Sequence, residues 1–410
     1  MKYEHLVREN IFRVLQKTPK WVVEPLVSAH VAAERQKMVN LVTPLVLVFF
    51  VTKRCNALCD HCFYWEQLNT ETEELSLQQI ETVVRSLKHP LNTVSLTGGE
   101  PFVRNDLFSI VKLFVEINRT KKVNIVTNGT YTDRTVSTIQ RVLDELDSVA
   151  VNVGVSLDDF EDAHDKIRKV QIFRHAVETV KRLKQIAKKH KNLTVSVKTT
   201  VFKDNFKNVE KFRQYLEDEV QVAYDIQYMR SPKFDVYDID REILSGYDPQ
   251  ESEEHQLSLG EMKEVFDVFY SKKATTNRLL NNYSLVLNEG ILEMKNHERQ
   301  FVKCLAGKYD GVLYSNGEVA FCEMTTAFTK IQDYDFDFFR AWNSPESNQM
   351  RAKISKCFCT HTCNLMNAMR VDKDALMKVI YPNNARDIEE KECGKVINKS
   401  HFDRPDKTAT

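Results

Sequence analysis

The sequence predicts an α/β fold: a partial (β/α)6 barrel built on a parallel sheet, followed by a smaller C-terminal domain. Between residues 45 and 230, six short β-branched runs alternate with longer stretches of helical periodicity. This alternation is typical of a parallel sheet with right-handed crossovers. Eight of the nine cysteines stand in groups, which favours metal binding or catalysis over a disulfide framework. A barrel of this kind carries its active site at the C-terminal ends of its strands.

The composition is that of a protein with a substantial core and no marked charge. The chain has 410 residues, 42% of them hydrophobic, which is enough for a barrel-sized domain and a smaller one. Lys+Arg and Asp+Glu both number 58, so the net charge gives no argument for a specific nucleic-acid partner. The strongest apolar run, residues 45–51, is too short for a membrane span of about 20 residues. The N-terminus shows no secretory signal, and we predict a cytoplasmic protein.

Each predicted strand is a run of β-branched or aromatic residues that is followed by a helical stretch. The predicted strands comprise residues 46–51, 93–97, 123–127, 149–156, 193–201 and 224–229. Further along the chain, Asn316-Gly317 lies between two alternating runs, which predicts a β-hairpin.

The same patterns divide the chain into five segments. The first is an N-terminal helical cap packed on the barrel, broken near Pro19 and Pro25; a membrane-surface or partner-binding helix is the alternative. The others are the barrel, a helical linker or insertion, a cysteine-bearing domain and a flexible tail. The predicted bounds are 1–44, 45–232, 233–300, 301–395 and 396–410.

The clearest chemical motif is CNALCDHCFYW, directly after the first strand. Its C-x3-C-x2-C spacing lets Cys55, Cys59 and Cys62 bind three corners of an Fe4S4 cube, and the fourth iron then has no protein ligand. Lys53 and Arg54 flank the loop and favour the thiolate form. The alternatives are three unrelated thiols, or a structural zinc site with His61 as a fourth ligand.

Together with the segments TGGEP, TNG and VSLD after the next three strands, this cysteine motif resembles the radical S-adenosylmethionine (SAM) superfamily. The resemblance covers residues 45–230. It implies a [4Fe–4S] cluster whose unique iron is chelated by the amino and carboxylate groups of SAM. One electron from the cluster then cleaves SAM to methionine and a 5′-deoxyadenosyl radical, which abstracts hydrogen from a substrate.

The resemblance also implies which residues bind SAM. The TGGEP segment receives the amino group, Ser156 contacts the ribose with Asp158 nearby, and Lys198 meets the carboxylate. Aromatic or polar side chains, including Gln227, lie near the adenine. The implied cofactor-binding residues are Gly98, Gly99, Glu100, Thr127, Asn128, Ser156, Asp158, Lys198, Tyr64 and Tyr228.

The chain departs from the family pattern at three positions. His61 replaces the usual aromatic residue before the third cysteine. Asp159 and Lys169 replace two glycines that the family carries around the stretch after VSLD. All three departures lie in the cysteine loop or around the stretch that follows the predicted ribose contact.

A second cysteine set has the form C-x12-G-x4-C, from Cys304 through Gly317 to Cys322, followed by CFCTHTC. It resembles the α+β C-terminal extension called SPASM, or its shorter form, twitch, which carries auxiliary iron–sulfur clusters. We expect one auxiliary cluster. Its expected ligands are Cys304, Cys322, Cys363 and either Cys359 or Cys357, with Cys393 left over. A second, incompletely ligated cluster is one alternative, and buried free thiols or a zinc knuckle with His361 are the others.

Four polar residues near these motifs are candidates for substrate contact or catalysis. Glu323 and Arg230 would face the barrel cavity as substrate contacts, with a structural ion pair as the alternative. His164 and Asp165 are expected in a solvated loop or helix start, with catalysis as the alternative.

The predicted function is that of a radical SAM oxidoreductase or modifying enzyme. By family analogy the substrate is a small metabolite (a sugar, nucleoside or lipid precursor) or a ribosomally made peptide. The first 45 residues look short for a peptide-leader module, which favours the metabolite. An external one-electron donor such as flavodoxin or ferredoxin is implied. A non-catalytic iron–sulfur scaffold is the alternative of a different class, although a scaffold has no need of a SAM pocket.

Overall fold

The computed structural model describes residues 2–146, 148–271 and 278–382. Eleven strands lie in these ranges: β1 Val46–Thr52, β2 Thr93–Gly98, β3 Lys122–Thr127, β4 Ala150–Ser156, β5 Leu193–Val201, β6 Ala223–Tyr228, β7 Val236–Tyr237, β8 Asp310–Leu313, β9 Glu318–Ala320, β10 Thr329–Lys330 and β11 Phe358–Cys359. Cys393 and the predicted tail 396–410 lie outside the described residues.

Sixteen α-helices lie in the same ranges. They are α1 Lys2–Lys17, α2 Lys20–Val39, α3 Leu77–Ser86, α4 Leu107–Glu116, α5 Thr132–Glu145, α6 Glu161–Arg168, α7 Phe173–Lys189, α8 Val209–Tyr215, α9 Pro232–Asp235, α10 Ser252–His255, α11 Leu259–Ser271, α12 Arg278–His297, α13 Phe338–Trp342, α14 Pro345–Lys353, α15 Thr362–Met369 and α16 Lys373–Ile380.

Strands β1 to β6 form a continuous parallel sheet in sequence order, as predicted for a partial barrel. Helices α3 to α8 connect them. The fold class is confirmed, and the six observed strands begin and end within a residue of the predicted ones. The β-branched runs place apolar side chains against the helices, and that packing makes the outer layer of the core.

Alternation along the strands decides which residues face the lumen of the barrel. On β4, Val151, Val153 and Val155 are buried in the main core beneath the helices. The intervening positions, among them Gly154 and Ser156, therefore point inward. The predicted motifs lie at the C-terminal ends of these strands.

The C-terminal hairpin extends the same sheet. β8 pairs parallel with β1, while β9 and β10 continue antiparallel beyond it. The predicted Asn-Gly turn lies between β8 and β9, and Gly317 has φ +87°, a conformation that favours glycine. The boundary predicted near residue 300 stays a prediction, but the hairpin beyond it belongs to the barrel's own sheet.

The N-terminal helices pack on later helices instead of on the strands. Phe12, Val23 and Val27 share a cluster with residues of α12 and α16. The chain breaks at Pro19 as predicted, but α2 runs on through Pro25. Among the described residues, no helix is long and apolar enough to cross a membrane.

Candidate functional site

The first cysteine loop lies directly after β1 and is held there by Asn69. The backbone N–H of Cys55 donates to Asn69 Oδ1, and Asn69 Nδ2 donates to the carbonyl of Cys55. Each donor–acceptor distance is 3.0 Å. Asn69 adopts φ 59°, a left-handed conformation that asparagine tolerates well. Glu74 fixes the end of β1 from the same side, because Thr52 Oγ1 and the N–H of Lys53 donate to it.

The three thiols of this loop lie close enough to influence one another. Burial, with a smaller contribution from the neighbouring Cys59, raises the pKa of Cys55 and of Cys62 to about 12. The sulfur of Cys55 accepts from the N–H of Ala57, and Cys62 accepts from the N–H of Tyr64. N–H groups directed at sulfur are a feature that tunes iron–sulfur ligands.

The donor set of this loop fits an iron–sulfur cluster. Cys55, Cys59 and Cys62 are free thiols with no disulfide partner. Thiolate sulfur is the ligand that Fe4S4 clusters use, and each thiolate binds a different iron of the cube. The three thiols could therefore hold three corners of a cube.

Gly98 and Gly99 allow the second strand to approach the cysteine loop. A Cβ at Gly98 would lie 2.1 Å from the carbonyl oxygen of Thr52, and one at Gly99 would lie 2.2 Å from that of Arg54. The N–H of Gly99 donates to the carbonyl oxygen of Thr52 at a distance of 2.7 Å. The glycines are therefore required by this close backbone contact.

Glu100 turns its carboxylate into the protein. It is 1% exposed, and its oxygens accept from the hydroxyl of Thr127 at 2.7 Å, the N–H of Asn128 at 2.7 Å and the N–H of Phe102 at 3.1 Å. Burial raises the pKa of Glu100 to about 7, against these hydrogen bonds. In this structure Glu100 ties the end of β2 to the end of β3, and its carboxylate does not face the lumen.

Asn128 ties the third strand to the cysteine loop. Its Nδ2 donates to Asn56 Oδ1 over 2.9 Å, and Asn56 Nδ2 donates to Thr130 Oγ1 over 3.0 Å. The TNG segment thus holds the loop between the first two cysteines.

Asp158 lies in a buried ion pair with Arg168. Arg168 Nε and Nη2 lie 2.8 and 2.7 Å from Asp158 Oδ2, and the N–H of Thr200 donates to Oδ1. Burial opposes the charged form, but Arg168 outweighs it and lowers the pKa of Asp158. In this structure the Asp158 carboxylate is bound by Arg168 and by the backbone of β5. It fixes the end of α6, whose last carbonyls accept the N–H groups of Leu58 and Asp60 in the cysteine loop.

The expectation of a solvated His164 is wrong. The side chain is fully buried, and its Nδ1 accepts the backbone N–H of Asp158. Asp165 does lie within the short helix α6, where it accepts the N–H groups of Ile172 and Phe173 and so fixes the start of α7. Burial also lowers the pKa of both His61 and His164 to about 4, so both imidazoles are neutral.

The three departures from the family pattern have separate outcomes. Lys169 has φ 55°, so the position does favour glycine, and its ammonium lies 2.6 Å from Asp60 Oδ1 in the cysteine loop. Asp159 has no positive φ; its carboxylate accepts from Asn208 and from the next N–H. The imidazole of His61 packs on Phe202, with 5.4 Å between ring centroids.

The remaining implied SAM contacts divide between the lumen and the outer layer. Ser156 and Lys198 are paired in register on β4 and β5 and face inward, but Lys198 forms an ion pair with Asp225 and leans over Gly154. Tyr228 points the other way, and its hydroxyl donates to the carbonyl of Met262 in α11.

The aromatic side chain after the third cysteine also lies in a packed group. Tyr64 is buried and stacks on Tyr314, with 5.8 Å between ring centroids. Phe50 of β1 lies against both rings. Cys55 and Cys62 pack on the same cluster, and the assignment of Tyr64 to the SAM adenine stays a prediction.

Comparison with known protein families identifies this site. The family model described as the radical SAM superfamily matches residues 49–216, from β1 to the end of α8. The chain carries a radical SAM domain.

Relatives of this radical SAM protein share parts of it. The Fe-coproporphyrin III synthase of Methanosarcina barkeri is 30% identical over 178 residues, which are 42% of this chain and 41% of the relative. The subtilosin biosynthesis protein AlbA of Bacillus subtilis is 25% identical over 229 residues, 55% of this chain and 47% of that protein. The chain thus spans less than half the length of these curated relatives.

A solved structure extends the likeness of fold beyond the radical SAM domain. Streptococcus suis SuiB, bound to its precursor peptide SuiA, aligns with a TM-score of 0.55 at 16% identity. The alignment covers 78% of this chain and 70% of SuiB. At this identity the likeness concerns the fold alone.

Beyond the radical SAM domain, the structure gathers most of the second cysteine set. Burial raises the pKa of Cys304 and Cys322 well above the usual range, and the nearby Cys359 raises both further. Cys357 adds to this effect on Cys304 and on Cys359. The sulfurs of Cys304 and Cys322 accept the N–H groups of Ala306 and Met324, and Cys359 accepts that of His361.

Cys363 contacts different side chains from those around these four cysteines. Its thiol contacts His361, which outweighs burial and lowers the pKa of Cys363. His361 Nε2 lies 2.9 Å from Glu323 Oε2, although neither ring nitrogen has a well-aligned hydrogen bond among the described residues. Arg230 Nη1 donates to the same Glu323 oxygen over 2.5 Å. The structure thus pairs the two predicted substrate contacts, Arg230 and Glu323, with each other.

Sequence reasoning missed several residues that position these groups. Asn69 and Glu74 fix the first cysteine loop, while Asp235 fixes the segment directly after Cys359 through hydrogen bonds from Thr360. A polar residue in a loop gives no signal of its long-range partner, so none of these could be read from spacing. Only the positive φ of Asn69 has a weak local signal, the residue type itself.

Proposed function

We propose that this protein is a radical SAM enzyme that cleaves SAM reductively and removes a hydrogen atom from an organic substrate. The observation that carries the proposal is the group of three thiols, Cys55, Cys59 and Cys62, at the C-terminal edge of the parallel sheet. A cluster held there and SAM would supply the reductive cleavage and the hydrogen abstraction.

The chain's own residues would hold these groups in place. Asn69 and Asn128 fix the loop backbone, and Gly98 and Gly99 place the end of β2 against it. In this proposal Glu100 and Thr127 act by orienting the turn, and the backbone of the TGGEP segment meets the SAM amino group.

Two lumen-facing side chains complete the proposed SAM pocket. Ser156 stands at the end of β4 in register with Lys198 on β5. We assign the ribose to Ser156 and the SAM carboxylate to Lys198, which would share its ammonium with Asp225. Gln227, inward on β6 and hydrogen-bonded to Thr200, replaces Tyr228 as the side chain assigned to the adenine.

For the auxiliary site we propose an iron–sulfur cluster with Cys304, Cys322 and Cys359 as three ligands. Each of these sulfurs accepts an N–H two residues further along, and Cys359 lies close enough to raise the pKa of both Cys304 and Cys322. The fourth ligand is Cys357 or Cys363. Iron content in single Ala variants of these two cysteines separates the choices, because loss of a ligand lowers cluster occupancy.

The substrate class we propose is a small metabolite. The support is the Fe-coproporphyrin III synthase relative, which has the higher identity of the two relatives described, and the charged groups Lys198, Asp225 and Arg230 around the lumen. Peptide modification is the second candidate. It is favoured by AlbA and by SuiB, whose alignments cover the larger shares of this chain. An external one-electron donor such as flavodoxin or ferredoxin belongs to either proposal.

The test is production of 5′-deoxyadenosine by anaerobically reconstituted protein with dithionite and SAM. The Cys55/Cys59/Cys62→Ala variant should make none while keeping the iron of the auxiliary site. The Cys393→Ala variant is the matched control, because it removes a thiol that belongs to neither predicted ligand set, and it should make 5′-deoxyadenosine as wild type does. Wild-type protein with full iron content and no 5′-deoxyadenosine would contradict the proposal and favour a scaffold.

A further inference from the structure

One side chain, Arg230, contacts residues next to both cysteine groups. Its guanidinium carbon lies 5.0 Å from the ring centroid of Phe63, which follows Cys62. Its Nη1 lies 2.5 Å from Glu323, which follows Cys322. Three residues, Phe63, Arg230 and Glu323, thus form one chain of contacts between the two cysteine groups.

The group around Arg230 is buried and charged. The Arg230 side chain is 16% exposed and that of Glu323 is 9% exposed. Burial disfavours both charges, and the ion pair offsets this cost, since Arg230 Nη1 and Glu323 Oε2 lie 2.5 Å apart. A fixed positive charge therefore lies between the two sites, with its counter-charge on the auxiliary side.

The backbone around Arg230 is anchored to the auxiliary cysteines. The N–H of Ser231 donates to Asp235 Oδ2 over 2.7 Å, and Thr360 Oγ1 donates to Asp235 Oδ1 over 3.0 Å. Lys295 Nζ lies 2.5 Å from the same carboxylate. In addition, β7 pairs antiparallel with β11, which contains Cys359. These hydrogen bonds and the pairing of β7 with β11 thus fix the backbone next to Arg230 relative to Cys359.

A fixed cation close to a cluster favours the more reduced, more negative form of that cluster. The electrostatic effect is strong where water is excluded, because the local dielectric is low. Charge around iron–sulfur clusters is a known determinant of their potentials. Removal of the Arg230 charge would also leave Glu323 with His361, 2.9 Å away, as its remaining ion-pair partner among the described residues, so less positive charge would offset this anion beside Cys322 and the potential would change in the same direction.

We propose that Arg230 is a positioning residue that sets the reduction potential of the auxiliary site and couples it electrostatically to the SAM site. This inference rests on the proposed function, since it requires clusters at both cysteine groups. Arg230 acts here through Phe63 and Glu323 and touches no reacting atom.

The experiment is a redox titration of the cluster-loaded full chain, followed by electron paramagnetic resonance and without SAM turnover. Arg230→Gln should lower the midpoint potential of the auxiliary cluster, and Arg230→Lys, which keeps the charge, should lower it less. Arg213→Gln on the outer helix α8, which loses a pair with Glu217, is the matched control and should leave both potentials unchanged.

A double variant tests the same inference if Arg230→Gln loses iron. Arg230→Gln/Glu323→Gln removes both charges with little change of volume, and its auxiliary potential should return toward the wild-type value. Unchanged potentials in cluster-loaded Arg230→Gln, or a double variant no closer to wild type than the single one, would overturn the inference alone. Wild-type protein that forms no cluster at either group would contradict the proposed function itself.

Discussion

The buried pair of Asp158 and Arg168 allows a quantitative prediction about the support of the cysteine loop. Asp158→Asn keeps the shape and an acceptor for the N–H of Thr200 but leaves Arg168 without its counter-charge. Removal of one partner of a buried ion pair costs about 3–5 kcal/mol of the free energy of unfolding. Because asparagine still accepts hydrogen bonds, we expect the lower end, about 3 kcal/mol.

The assay is the thermal unfolding midpoint, since the chain is too large for a two-state treatment. For a domain of the barrel's size, 1 kcal/mol corresponds to about 2–4 °C, so Asp158→Asn should lower the midpoint by about 6–12 °C. Loss of iron from the cysteine loop should accompany this, because the carbonyl of Arg168 accepts the N–H of Leu58.

The pH dependence of this difference has a definite sign. Because the pKa of Asp158 is lowered in the folded protein, its contribution is present above the ordinary value of 3.8 and is lost as the pH falls through the folded value. The difference between wild type and Asp158→Asn should therefore be constant from pH 5 to 8. It should shrink only in more acidic solution.

Two control variants complete the prediction. Asp162→Asn changes an exposed carboxylate on the same helix, α6, and should change the midpoint by less than about 1–2 °C. Asp158→Asn/Arg168→Met removes both charges and should recover part of the loss. If Asp158→Asn were as stable as wild type at neutral pH, the pair would not be the support we describe.

Three further predictions concern the same end of the barrel. Lys169→Gly should leave the thermal midpoint within about 2 °C of wild type. Lys169→Ala should have a lower midpoint than Lys169→Gly, since both lose the lysine side chain but only alanine keeps the left-handed strain of about 1–2 kcal/mol. Equal midpoints of the two variants would contradict the strain. Glu100→Gln should flatten the fall of the thermal unfolding midpoint as the pH rises from about 4.5 to about 7, by about 6–12 °C at most, because the raised pKa penalises the ionised folded form. Asn69→Ala should lower the iron content of the first loop more than Asn69→Gly, which keeps the backbone conformation while losing both hydrogen bonds to Cys55; the reverse order would refute the role of the φ angle.

The local part of the fold could be predicted from sequence, because periodicity is a local signal. The six strands and the Asn316-Gly317 hairpin follow from runs of a few residues each. The pairing of β8 with β1 joins residues more than 260 positions apart, and no local pattern specifies it. For the same reason the N-terminal helices were expected on the barrel and instead pack on α12 and α16.

The candidate site shows the same division between position and orientation. The motif residues lie where the strand ends bring them, but side-chain direction depends on partners elsewhere in the chain. Glu100 and Asp158 point into the protein because Thr127 and Arg168 bind their carboxylates. Tyr228 faces outward because its neighbour Gln227 takes the inward position on β6.

The pairing of β8 with β1 has a consequence for any shortened form of this chain. A protein that ended near residue 300 would leave one side of β1 with unpaired N–H and C=O groups, next to the loop of Cys55. Such a bare strand is a template for association with other chains. The barrel and the hairpin should therefore be expressed together, and separate halves should aggregate instead of reporting on either cluster alone.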